Sequence, residues 1–134
     1  MGILNAIQQK QKGGFESIGI DTWGVDFGLL DEHGDLLESA VHYRDDRTLG
    51  MQEEVFKVIP KEEVYNLTGN QFENFNTIFQ LYSLVQKRPW ILEKADTLLL
   101  TPDLFNYFLT GEKKAEYTMA TTTQLMDAKN KSLV

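Results

Sequence analysis

Hydrophobic and polar positions alternate between short apolar runs and helical stripes along most of the chain. Ile18 and Ile20 give Ser17–Ile20 the look of a short buried strand, which breaks into Asp21-Thr22-Trp23-Gly24. Val25 to Leu30 and Leu36 to Val41 are strand-like, and Asp31-Glu32-His33-Gly34-Asp35 between them is a short polar loop with glycine, so the pair reads as a β-hairpin. Met51, Val55 and Val58 share a face of a helix expected over Arg47 to Val58, and Pro60 opens a short helix from Lys61 to Leu67, closed by Gly69. Gln71 to Phe75 is irregular and aromatic. Thr77 to Gln86 carries a broad apolar stripe (Ile78, Phe79, Leu81, Tyr82, Leu84, Val85) with Asn76 or Thr77 as N-cap.

Pro89-Trp90 starts a further helical turn, and Thr97 to Leu100 reads as a second buried strand. Thr101-Pro102-Asp103 marks a helix start: an N-cap hydroxyl, proline at the first helical position and an acid against the dipole. Leu104, Phe105, Phe108 and Leu109 are expected to be its core face, and Gly111 its end. Glu112 to Glu116 is a polar loop, and Tyr117 to Met126 is Thr-rich and strand-like from Thr122 on. At the other end, Ile3, Leu4 and Ile7 suggest a short helix stopped by Gly13-Gly14. The expected class is α/β, in one domain or one continuous piece of a domain.

Composition narrows the partners. The 134 residues suffice for a single core. Thirteen Lys and Arg against 20 acids, a net charge of −7 and no basic stripe argue against nucleic acid. No apolar run approaches the ~20 residues that span a bilayer, and the N-terminus lacks a signal-peptide pattern. The absence of cysteine excludes disulfides and thiolate metal sites and fits a cytoplasmic protein.

Candidate chemistry gathers around the first strand. Polar groups just past the C-terminal end of a strand are where open α/β sheets place their ligands, and Gly24 lets a ligand or another backbone come close. The hairpin would deliver Tyr43-Arg44-Asp45-Asp46-Arg47-Thr48 beside this cluster. Two guanidiniums, two carboxylates and hydroxyls can grip a polyhydroxylated ligand, because each sugar hydroxyl both donates and accepts.

Each of these also has an ordinary reading. Asp21 and Asp26 form a metal pair only if further oxygen ligands join them, and an Asp at a strand end more often caps a turn. Trp23 is either a stacking surface or part of the core. Arg44 to Arg47 is, taken alone, a solvated loop. Asn76 is a helix cap, a ligand-contacting amide, or both. His33 belongs to the hairpin turn, His42 is structural, and the two histidines yield no Ser/His/Asp triad or metal set.

Asp21-Thr22-Trp23-Gly24-Val25-Asp26-Phe27, the hairpin and Tyr43-Arg44-Asp45-Asp46-Arg47-Thr48 together resemble the FGGY carbohydrate kinase family. The resemblance continues through Asn74-Phe75-Asn76-Thr77, Thr101-Pro102-Asp103, Leu109-Thr110-Gly111 and Glu116 to Leu125, in order, from about Gly14 onward. It implies part of an actin-like, ribonuclease-H-like ATPase domain: a mixed sheet with a β-hairpin and flanking helices. Residues 1–134 would be a partial N-terminal, sugar-binding domain. It also implies phosphoryl transfer from ATP with Mg²⁺ to a ketose, with the Asp-Thr-Trp-Gly and Tyr-Arg-Asp-Asp-Arg-Thr segments favouring L-rhamnulose.

By the same resemblance, Thr22, Trp23 and Gly24 lie against the sugar, Arg44, Asp46 and Arg47 shape its pocket, and Phe75 and Asn76 close one side. The family's Asp-x-Gly phosphate turn, its catalytic Asp and its glycine-rich adenosine site have no counterpart in this sequence. The ATP and Mg²⁺ elements are therefore expected to be absent, and the chain alone inactive. A non-catalytic sugar-binding or regulatory module is the alternative. Sheet edges left without partners make self-association, or assembly with the missing kinase halves, the expected behaviour.

Overall fold

The computed structural model describes Asn5, Gln8 and residues 16–134; the helix expected around Ile3, Leu4 and Ile7 lies outside the described residues. Strand β1 (Phe27–Leu30) pairs antiparallel with β2 (Thr97–Leu100), with Phe27 opposite Leu100 and Leu30 opposite Thr97. Helices α1 (Met51–Val58), α2 (Lys61–Thr68), α3 (Thr77–Lys87) and α4 (Pro89–Lys94) lie between the strands in sequence, and α5 (Thr101–Thr110) and α6 (Tyr117–Thr121) follow β2.

The two-residue period of β1 sorts the core into layers. Phe27 and Leu29 point to one side, where they pack with Leu84 of α3, Ile91 of α4 and Leu100. Leu30 points to the other and meets Leu99 and Leu104 of α5. Gly28 shares that face by the same period, and α5 comes so close there that a β-carbon would lie 2.7 Å from a Leu104 methyl. Met51, Val55 and Phe79 form a separate cluster where α1 packs on α3.

Several expectations are corrected. Ser17–Ile20 is not a strand; Ile18 is exposed, and no strand pairs with this segment among the described residues. The hairpin turn forms, with the Asp31 carboxylate accepting the His33 and Asp35 amides, but its second arm is no strand. It makes one bridge, Leu36 to Leu30, and a Leu37 amide bond to Leu29 before leaving the sheet, and Glu38 then pairs with Arg88. The described sheet is thus two-stranded and antiparallel, with β2 as the partner of β1.

The helix expected from Arg47 to Val58 is split. The Asp45 carboxylate accepts the Arg47 amide and starts a 3₁₀ turn at Asp46–Thr48, and Gly50, at φ 76°, then interrupts the path before α1. Thr101 is not the N-cap of α5 but its first residue, and its hydroxyl donates to the Asp26 carbonyl instead. On α5 only Leu104 of the expected core face is buried; Phe105, Phe108 and Leu109 are exposed. Thr122 to Gln124 is a turn, because the Thr122 and Thr123 hydroxyls donate back to the Met119 and Ala120 carbonyls, and of the expected strand only Met126 makes a bridge, antiparallel to Leu133.

Candidate functional site

Three polar segments meet at the N-terminal side of β1. Val25, just before the strand, has φ 69°, and the Asp26 amide donates to the Gly24 carbonyl at 2.9 Å, closing a three-residue turn. That conformation is strained for a β-branched residue and persists only where neighbours over-determine it. Here they do. The Val25 amide donates to Thr122 Oγ1 (3.2 Å), and its carbonyl accepts from Thr77 Oγ1 (2.7 Å) and Gln80 Nε2 (3.2 Å).

This turn presents Trp23 and Gly24 at the mouth of a cleft of about 940 Å³. Trp23, Gly24, Arg44, Phe75 and Asn76, all expected from the sequence, line it together with Tyr43. Trp23, Tyr43 and Phe75 form an aromatic wall of the cleft, and His42, outside its lining, joins Trp23 to Tyr43, with successive ring centroids 5.7, 4.3 and 5.4 Å apart along Trp23, His42, Tyr43 and Phe75. The Arg44 guanidinium lies over the Tyr43 ring at 5.5 Å with its side chain exposed. An apolar wall with a few convergent polar groups is the usual make-up of a small-molecule site.

Asn76 occupies the N-cap position of α3 without capping it. Its Nδ2 donates to the Gln71 carbonyl and to Gln124 Oε1, both at 2.9 Å. A backbone carbonyl fixes which end of the amide is nitrogen, and with both hydrogens committed Asn76 has only Oδ1 to offer a ligand. Gln124 is fully buried at φ 62°, and its Nε2 reaches the Asn70 carbonyl at 3.3 Å. The second wall of the cleft is therefore pinned like the first.

The other expected residues fall elsewhere. Thr22, Asp46 and Arg47 do not line the cleft. The Thr22 hydroxyl donates to the Trp23 carbonyl, and Asp46 begins the 3₁₀ turn. Arg47 turns inward: its Nη2 donates to Gln80 Oε1 and its guanidinium lies over the Phe27 ring at 5.8 Å. Burial pushes the Arg47 pKa below its usual value, while Asp45 and Asp26 pull it back up. Asn70, Gln71, Glu73 and Thr122 line the cleft unexpectedly. Asn70 and Gln71 directly follow Gly69, the left-handed end of α2, a loop signal that was available in the sequence.

Residues 3–132 match the FGGY family of carbohydrate kinases, N-terminal domain. The chain belongs to this family. Similar FGGY proteins include the rhamnulokinase of Halalkalibacterium halodurans, 52% identical over 128 residues, which cover 94% of this chain and 27% of that protein. The rhamnulokinase of Oceanobacillus iheyensis is 52% identical over 130 residues, covering 96% of this chain and 27% of that one. The chain thus spans 27% of the length of these curated relatives.

Among solved structures, xylulose kinase from Lactobacillus acidophilus superposes with a TM-score of 0.86 at 18% identity, covering 98% of this chain and 27% of that one. Plasmodium falciparum glycerol kinase with ADP gives 0.80 at 22% identity, covering 99% and 28%. These likenesses establish the fold as part of the actin-like ATPase fold of FGGY sugar kinases.

FGGY kinases draw their phosphoryl group from ATP. No group of three or more His, Cys, Asp or Glu among the described residues is placed to hold a metal ion. Asp21 is exposed, and both oxygens of buried Asp26 already accept hydrogen bonds within the chain. No helix among the described residues is long and apolar enough to cross a membrane.

Proposed function

We propose that this chain carries part of the sugar pocket of a kinase that transfers the ATP γ-phosphoryl group to L-rhamnulose, giving L-rhamnulose 1-phosphate. The observation that carries the reading is the convergence of Trp23, Gly24, Arg44, Phe75 and Asn76 on one cleft, in a chain 52% identical to rhamnulokinases. In this proposal the aromatic wall takes the apolar face of the ketose. Arg44 donates to its oxygens, and Asn76 Oδ1 accepts from a hydroxyl. Thr22, Asp46 and Arg47 act from outside the contact surface.

Phosphoryl transfer needs metal, phosphate loop and base held together. The proposal assigns these to other segments of an intact cytoplasmic kinase, so this chain alone binds ketose weakly and does not turn over. Assembly with those segments, or self-association, belongs to the same proposal and is read by light scattering. The decisive experiment is a coupled ADP-release assay with ATP, Mg²⁺ and L-rhamnulose, beside a sugar titration with a ketose panel. Silence in the assay with preferential L-rhamnulose binding is expected. Sugar-dependent turnover by the purified chain would overturn the assignment of the chemistry to other segments. Preference for another ketose would overturn the substrate.

A further inference from the structure

Behind the aromatic wall lies a carboxylate that does not itself line the cleft. Asp26 is 2% exposed, and its Oδ2 accepts from the Trp23 indole Nε1 at 2.7 Å and from the Tyr43 amide at 3.1 Å. Oδ1 accepts from Gln80 Nε2 at 3.3 Å, and Gln80 in turn receives the Arg47 guanidinium. The main chain of Asp26 is equally fixed. Its amide closes the strained turn at Val25, and its carbonyl takes both the amide and the hydroxyl of Thr101.

We infer that Asp26 is the positioning residue of the cleft, setting the Trp23 ring and the Tyr43 segment at their working separation before any ligand arrives. The inference rests on the sugar-pocket reading above. Trp23 is 48% exposed, so packing alone does not hold its ring. A half-exposed indole on a loop would lose rotamer freedom when a ligand stacked on it. The bond to Asp26 moves that cost from binding to folding, which is the general advantage of preorganisation. One oxygen serves two segments separated by the hairpin, so the spacing of the wall is set at a single atom. The bond is charge-assisted and correspondingly strong. Gln80 and Arg47 bring a cation toward the buried carboxylate without a direct ion pair, which gives Arg47 a role in the site although it does not line the cleft.

The test uses Trp90→Phe as background, leaving Trp23 as the sole tryptophan of the two. L-Rhamnulose affinity and the Trp23 indole N–H resonance are then compared across Asp26→Asn, Trp23→Phe and the double variant. Asp26→Asn leaves one acceptor oxygen where two now serve the Trp23, Tyr43 and Gln80 donors. It is therefore expected to lower affinity about tenfold, the scale of one hydrogen bond to a charged group, and to lose the protection of the indole N–H from exchange as that one oxygen is drawn toward Gln80. In the Trp23→Phe background the same change is expected to cost far less, because the tethered group is gone.

Unchanged affinity and a still-protected indole in Asp26→Asn would overturn the inference, as would equal losses in both backgrounds, the mark of a merely structural residue. Should Asp26→Asn fail to fold, Trp23→Phe decides, since it leaves Asp26 its Tyr43 and Gln80 donors; wild-type affinity there counts against the tether. If the unsubstituted chain shows no response to L-rhamnulose, the sugar reading falls. The tether is then judged by the indole resonance alone, where lost protection in Asp26→Asn upholds it and retained protection overturns it.

Discussion

Thr122 stands against Gly24 so closely that a β-carbon on the glycine would lie 2.8 Å from its Oγ1 and 3.0 Å from its Cβ. The missing side chain at Gly24 therefore makes room for another part of the protein, beside any room it leaves for a ligand. Thr122 also accepts the Val25 amide, so pushing it away loosens the strained turn that presents Trp23. Gly24→Ala is expected to destabilise the fold by about 1–3 kcal/mol, as overpacking does, and to weaken sugar binding with it. Urea denaturation checks the first part. A variant as stable as the parent would show that Thr122 moves freely.

Arg44 and Arg47, three residues apart in one charged run, are expected to respond in opposite ways. Arg47 is partly buried and hydrogen-bonded to Gln80, whose own amide reaches Asp26 and the Phe75 carbonyl. Arg47→Met should cost roughly 1–3 kcal/mol of stability, the penalty for stranding a buried acceptor. Arg44 is exposed, and Arg44→Ala should change stability by no more than about 0.5 kcal/mol while weakening sugar binding. Paired denaturation and titration curves separate the two; equal stability losses would contradict the structure.

Much of this was legible in the sequence because it depends on local rules. Gly69 and Gly111 end their helices at φ 69° and 75°, Pro89 and Pro102 sit in first turns, and Thr97–Leu100 is a strand. The meeting of Trp23, Gly24, Arg44, Phe75 and Asn76 was implied by the family resemblance and not by a local rule. What was not legible depends on partners far along the chain. Ser17–Ile20 has a strand's composition, but composition supplies no neighbour to pair with, and Ile18 is 62% exposed. Gln80 sits inside an apolar stripe where a polar residue looks like an interruption. Only the fold reveals that its Oε1 accepts from Arg47 while its two amide hydrogens are shared among the Phe75 carbonyl, the Val25 carbonyl and Asp26.

Helix α5 shows the same limit in a form that can be measured. Periodicity puts Leu104, Phe105, Phe108 and Leu109 on the expected core face, yet only Leu104 is buried, against Leu30 and Leu99. Leu104→Ala is expected to cost about 2–5 kcal/mol, the range for a buried leucine. Phe105→Ser and Phe108→Ser should each stay near 0.5 kcal/mol, since half-exposed rings give up little on removal. Thermal or urea unfolding of the three variants checks the contrast. A large loss at Phe105 would mean that the face is covered in solution.

Asp103, in the first turn of α5, gives the fold a pH dependence of definite sign. Its Oδ1 accepts the Glu116 amide at 3.2 Å, but its Oδ2 is buried without a partner among the described residues. Burial pushes the carboxyl above its ordinary 3.8; the Glu116 amide pulls it down, and the Glu116 charge pushes it up again. The folded state therefore takes up this proton at a higher pH than the unfolded state does. The resulting stabilisation is complete below the unfolded value and is lost as pH rises through the folded one. Asp103→Asn keeps an acceptor for the Glu116 amide and removes the titration. Its melting temperature should gain most on the parent at neutral pH, and the gain should shrink as the pH falls toward about 4, the ordinary carboxylate range. Subtracting the two profiles cancels an exposed carboxylate held low and uncoupled to Asp103, such as Asp96, whose contribution runs the other way. A difference that stays constant with pH would show that Asp103 titrates as it does in the unfolded chain.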